Sequence, residues 1–123
     1  MTSRRTKQKR DAKYLETAKW VNVMSACLDF HKKEQDSSSY PIVDSELLAD
    51  FSGSPENMFV WFICRTRVDK NIFRDIALRE ATTALKKRMS EGGFPEEAVS
   101  SLKTDVTSEE DIEEGGGRFS FFR

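Results

Sequence analysis

The sequence predicts a helix-rich α+β fold in a single domain, and three observations carry that expectation. Two long stretches place apolar residues three and four positions apart, the repeat of a helix with one buried face. Between them lies one short, unbroken run of β-branched and aromatic residues, Met58-Phe59-Val60-Trp61-Phe62-Ile63-Cys64. The chain has 123 residues, long enough to bury one core without disulfide or metal staples. The expected sheet is small, formed by a central strand at about 58–64 and a C-terminal strand at about 118–122.

Five of the first ten residues are cations, Arg4, Arg5, Lys7, Lys9 and Arg10, so residues 1–10 read as a basic flexible arm ahead of a domain spanning 11–123. From Asp11 to Lys33 the pattern is helical, with Tyr14, Ala18, Val21, Met24 and Leu28 on one face and Trp20, Cys27 and His31 beside it. A polar, serine-rich break from Gln35 to Ser39 ends at Pro41. Val43 to Phe51 reads as a short helix capped by Asp44 or Ser45 and stopped by Gly53-Ser54-Pro55. The Met58–Cys64 run is apolar on both faces, which predicts a central strand covered on each side.

Asp69 is the expected N-cap of the next helix. Phe73, Ile76/Ala77, Ala81, Leu85 and Met89 form its stripe, and Gly92-Gly93 ends it. Pro95 opens a further short helix through Leu102, and Thr107 or Ser108 caps an acidic turn over 108–114. Gly115-Gly116-Gly117 then reads as a hinge. Phe119, Phe121 and Phe122 beyond it are expected to form the last strand beside Met58–Cys64, since a loose aromatic tail invites aggregation. Two strands make a marginal sheet, so a third is expected, from another chain or from the Ser39–Val43 region.

Catalytic chemistry is not legible. The glycine run follows an acidic turn, whereas phosphate cradles sit between a strand and a helix N-terminus. No serine lies in a nucleophile elbow, and the paired glutamates read as solvated. Cys27 and Cys64 share no metal-ligand spacing and read as buried thiols, and a single histidine, His31, cannot complete a zinc site. The expectation is therefore a non-enzyme with no cofactor and no metal. No apolar run reaches the ~20 residues of a membrane span. The start of the chain lacks the apolar stretch of a signal peptide, so a cytoplasmic protein is expected.

Charge is segregated despite a net charge of only −1. Eight acids, Glu96, Glu97, Asp105, Glu109, Glu110, Asp111, Glu113 and Glu114, stand against one base between Gly93 and Gly117. Asp44, Glu46 and Asp50 add a second acidic cluster, while cations gather on the arm and from Arg65 to Arg88. An acidic face suits a basic partner, because complementary potentials speed and select association. The candidate partner-binding residues are Glu96, Glu97, Glu109, Glu110, Asp111, Glu113, Glu114, Asp44, Glu46 and Asp50. The alternative is a nucleic-acid-binding regulator using Arg4, Arg5, Lys7, Lys9 and Arg10. A homo-oligomer is compatible with either.

The segment 57–123 resembles the small immunity proteins of bacterial contact-dependent inhibition and related polymorphic toxin systems. The likeness rests on Phe59-Val60-Trp61-Phe62-Ile63-Cys64, on Phe73-Arg74-Asp75-Ile76-Ala77, and on the closing Glu109-Glu110-Asp111-Ile112-Glu113-Glu114-Gly115-Gly116-Gly117-Arg118-Phe119-Ser120-Phe121-Phe122-Arg123. It implies a cytosolic, non-enzymatic protein that binds one cognate toxin domain, such as a nuclease, and blocks it. It implies no catalytic residues.

Overall fold

A computed structural model describes residues 4–36, 42–49 and 54–122, with side chains over 12–29, 42–49 and 54–122. The order is α1 (Arg4–Asp36), β1 (Ile42–Leu48), β2 (Phe59–Cys64), α2 (Arg67–Ile76), α3 (Leu78–Glu91), α4 (Glu96–Ser101), β3 (Lys103–Ser108), α5 (Glu109–Glu114) and α6 (Arg118–Phe121). The helix-rich α+β fold class is therefore the observed one.

The 33 residues of α1 span about 50 Å at 1.5 Å each. The helix starts at Arg4, so most of the expected arm is its first turns. Thr17, Met24, Cys27 and Leu28 are buried on one face, with Trp20 and Val23 packed beside them. Trp20 stacks at 4.9 Å on Phe94. Tyr14, expected on the inward face, is instead exposed, because the buried stripe begins one turn later. The side chain of His31 lies outside the described residues.

β2 is central, as its doubly apolar pattern predicts, in a three-stranded sheet of order β1-β2-β3. β1 pairs with it antiparallel and β3 parallel. Along a strand, side chains alternate between faces. Val60, Phe62 and Cys64 point with Val106 and Leu47 into the main core, where Phe73, Ala81, Leu85 and Met89 meet them. Phe62 and Phe73 pack edge-on at 5.9 Å and are buried, each worth about 2–3 kcal/mol by area removed from water.

Four local expectations need correction. Over its described residues the expected helix at Val43–Phe51 is strand instead: Ile42–Leu48 is β1, with a bulge between Ile42 and Asp44. Its Ser45 and Leu47 turn toward the core and its Asp44, Glu46 and Leu48 to the other face, a period of two that the acidic residues disguise as a helix cap. The residues of 118–122 are not a strand either. Gly116 and Gly117, both at φ above +90°, reverse the chain, and α6 lays Phe121 and Phe122 across Trp61. The N-cap of α2 is Thr66, whose Oγ1 accepts from the Asp69 N–H at 3.1 Å; Asp69 lies in the first turn.

The single stripe read over 70–90 is two helices that break at Ala77, whose ψ of −16° departs from helix while its N–H still reaches the Phe73 carbonyl. Phe73, Ala77, Ala81, Leu85 and Met89 stay in register across the break, so one buried face serves both helices. Ile76, by contrast, is exposed. Of the Ser39–Val43 candidate for a further strand, Ile42 and Val43 do lie in β1, and β3 adds a strand that the sequence pattern does not predict. Thr82 of α3 and Thr104 of β3 share a 2.7 Å hydroxyl contact that holds β3 against the core helices. Gly92 lets α3 end close to α1: a Cβ there would lie 3.2 Å from Val23 Cγ1.

Candidate functional site

The face of the sheet opposite the main core carries Phe59, Trp61 and Ile63 from β2 and Asp44, Glu46 and Leu48 from β1, paired across the ladder. Ile63 and Ile112 are buried, whereas Phe59 and Trp61 are only partly covered. Trp61 is the hub, with ring centroids of Phe59, Phe121 and Phe122 at 5.2, 5.7 and 5.9 Å. Phe121 and Phe122 meet edge-to-face at 4.9 Å. Aromatic edges and faces carry opposite partial charge, so such angled contacts add to area burial.

Around this face the acids separate into those that hold the fold and those left outward. Ser108 caps α5, its Oγ accepting from the Asp111 N–H at 3.1 Å, as expected for that position. The cap aims the Asp111 carboxylate at α2. Lys70 Nζ donates to it at 2.5 Å, Arg67 Nε at 2.6 Å and Ser108 Oγ at 2.9 Å. The Lys70 hydrogen bond, with help from Arg67 and Ser108, outweighs desolvation and holds the Asp111 carboxyl at about 2, below its ordinary 3.8. Arg67 also pairs with Glu114, and its backbone N–H donates to Glu110 Oε1 at 3.3 Å. Arg74 reaches Asp105 at 3.2 Å and the Val106 carbonyl at 3.0 Å.

On the β1 side, Arg118 donates to Asp44 Oδ2 at 2.5 Å and to Glu46 Oε2 at 3.4 Å. The Asp44 hydrogen bond first, then the charges of Asp44, Glu46 and Glu109, raise the Arg118 pKa further. Asp44 Oδ1 accepts from the Ser45 N–H as well, so one carboxylate both occupies a strand amide and fastens α6.

Of the candidate acids, the structure gathers Asp44, Glu46 and Glu109 around Arg118, and Glu110, Asp111 and Glu114 around Arg67. Glu113 stands exposed beside Glu110 and Glu114 at a shallow hollow of α5. Glu96 and Glu97 do not join them. They open α4, before β3, while α5 follows it, and six strand residues separate the two by roughly 17 Å. Asp50 lies outside the described residues, as do the side chains of Arg4, Arg5, Lys7, Lys9 and Arg10. Among the described residues Glu96, Glu97, Glu109 and Glu113 form no ion pair.

Residue-type reasoning passed over Trp61 and Arg118 as site residues. The signal was present in the alternation of Phe59, Trp61 and Ile63, but it has meaning only once the second sheet face is known to be thinly covered.

The remaining candidates for chemistry are quiet. Cys27 and Cys64 are free and buried, and burial pushes both thiols up, Cys64 to about 11. A thiol so protonated is a poor nucleophile. Among the described residues no group of three or more His, Cys, Asp or Glu is arranged to hold a metal ion, and no helix is long and apolar enough to cross a membrane. A shallow cleft of about 370 Å³ beside Trp61 is lined by Lys70, Arg74, Asp111 and Glu114, whose charges are already spent on one another or on Asp105 and Arg67. No protein-family model, no curated protein and no solved structure matches the chain.

Proposed function

We propose that this chain is a non-enzymatic, cytoplasmic binding protein that neutralises a basic protein partner, in the manner of the immunity proteins its sequence resembles. The partner in that reading is a cognate toxin domain, whose phosphate-binding cleft would supply the positive surface if it is a nuclease. The observation that carries the reading is the construction of α5. Asp111 and Ile112 fasten the helix to the body, which leaves Glu109, Glu110 and Glu113 exposed on a rigid turn. Carboxylates of one sign on a fastened backbone present a defined negative surface that steers a cationic partner.

The testing experiment is a tagged pull-down at low salt from nuclease-treated source lysate, repeated with a triple variant, Glu109→Lys, Glu110→Lys and Glu113→Lys. Asp111 is left intact, because its reversal would break the contacts to Arg67 and Lys70 and confuse binding with folding. The expected result is one secreted or surface protein, recovered through a defined domain and lost with the triple variant while circular dichroism stays unchanged. Retention by the variant would remove the acidic ridge from the account. Recovery of only RNA-dependent ribosomal proteins would favour the nucleic-acid alternative.

A further inference from the structure

We infer that the partner's anchoring site is the aromatic face around Trp61, rimmed by carboxylates that continue into the acidic ridge at Glu109, and that its occupant is an apolar side-chain plug ringed by Lys or Arg on a protein partner. The inference rests on the binding role proposed above and adds where the affinity resides.

Phe59, Trp61, Phe121 and Phe122 form one connected ring cluster, and none of the four is fully buried. Phe119, on the same short helix, is 78% exposed, the highest of the large apolar side chains among the described residues. A partly exposed apolar cluster with a polar border is the mark of an interaction surface. Binding energy concentrates on aromatic and arginine residues enclosed by a rim that excludes water. Trp61 and Arg118 occupy the centre of such a surface here.

The border selects the occupant. Asp44 and Glu46 flank the cluster on β1, Glu109 lies close enough to act on Arg118, and Glu114 shares the Trp61–Phe121 cleft. Asp44, Glu46 and Glu109 face one guanidinium within the patch, Arg118, whereas Glu114 is paired with Arg67 from the α2 side, and Lys70 and Arg74 are engaged by Asp111 and Asp105. The rim is thus negative around an apolar centre. A second copy of the chain would bring the same sign to the same rim, which like-charge repulsion opposes.

Two synthetic peptides of equal charge separate centre from rim: one alternating Lys with Leu, and one of Lys with Ser. Binding is read by the fluorescence of Trp61 in a Trp20→Phe background, where it is the one remaining tryptophan, and by calorimetry. The Lys/Leu peptide is expected to bind at least tenfold more tightly and to shift the Trp61 emission. Phe119→Ala should abolish that advantage without changing the Lys/Ser affinity, whereas Glu109→Lys with Glu113→Lys should weaken both peptides. Equal affinities for the two peptides, or a Lys/Leu advantage that survives Phe119→Ala, overturn the aromatic anchor while leaving the acidic ridge standing. No binding of either peptide, or binding indifferent to the charge reversals, overturns the anchor together with the reading beneath it. A concentration-dependent dimer lost in Phe119→Ala, seen by sedimentation velocity, would assign the face to self-association and overturn the chosen occupant.

Discussion

The two faces of the sheet are built from one strand and follow different rules. On the first, Val60, Phe62 and Cys64 meet an aliphatic and aromatic wall from α2 and α3, and every one is buried. On the second, Trp61, with Phe59 against it, meets a single turn of helix hung from a glycine reversal and fastened by Arg118 to Asp44 and Glu46. The first face removes apolar surface from water. The second leaves much of it partly exposed and surrounds it with carboxylates. Close packing on the first makes each side chain costly to change, while loose cover on the second keeps surface available to another molecule.

The contrast is tested most severely by truncating neighbours on β2. Phe62→Ala should destabilise the protein by about 3–5 kcal/mol in a denaturant melt, the usual cost of emptying a packed aromatic site. Trp61→Ala, one residue away, should cost about 1–2 kcal/mol, because Trp61 and its ring partners are only partly covered. Equal losses would mean that the second face is as much a core as the first.

Next in size is the polar tie between α5 and α2. Asp111→Asn should destabilise by about 1–2 kcal/mol, since it removes a carboxylate that accepts charged hydrogen bonds. The pH dependence has a definite sign. The folded carboxyl sits at about 2 against an ordinary 3.8, so the unfolded chain takes up the proton first. The contribution is therefore full above about pH 4 and is lost as pH falls toward 2. Melts of wild type and Asp111→Asn should converge across that interval, and a constant gap would reassign the effect to packing.

The smallest expected effect is also informative. Phe119→Ala should alter stability by no more than about 0.5 kcal/mol, the range for surface substitutions, because its side chain is largely exposed. A large loss would make Phe119 a structural residue and withdraw it from the binding face.

The fold class and the central strand were legible because an unbroken apolar run such as Phe59–Cys64 has few other places to go. Helix punctuation at Ser108, Gly92 and Pro95 was legible for the same local reasons. β1 was not. Asp44, Ser45 and Glu46 have the composition of a helix start, and only pairing with β2 reveals their alternation. β3 has one large apolar residue, Val106, flanked by threonines that any turn would accept, so its strand character comes from the partner strand. Of the candidate site, residue types marked the acids but could not tell Asp111, consumed by Lys70 and Arg67, from Glu109 and Glu113. Phe121 and Phe122 do reach the Met58–Cys64 strand, as their apolar character predicts, but they do not pair with it. They cover its face, because two glycines turn the chain before it can run alongside.

The central claim is that the second face is the one offered to a partner. The most direct measurement is a titration of the isotopically labelled protein with the Lys/Leu peptide, followed by amide chemical shifts. The account predicts that the shifting amides group on α5, α6, β1 and the Phe59–Trp61 end of β2, and that they move less as salt is added. Shifts grouped instead on α1 and α3, with the Trp61 indole unmoved, would contradict it.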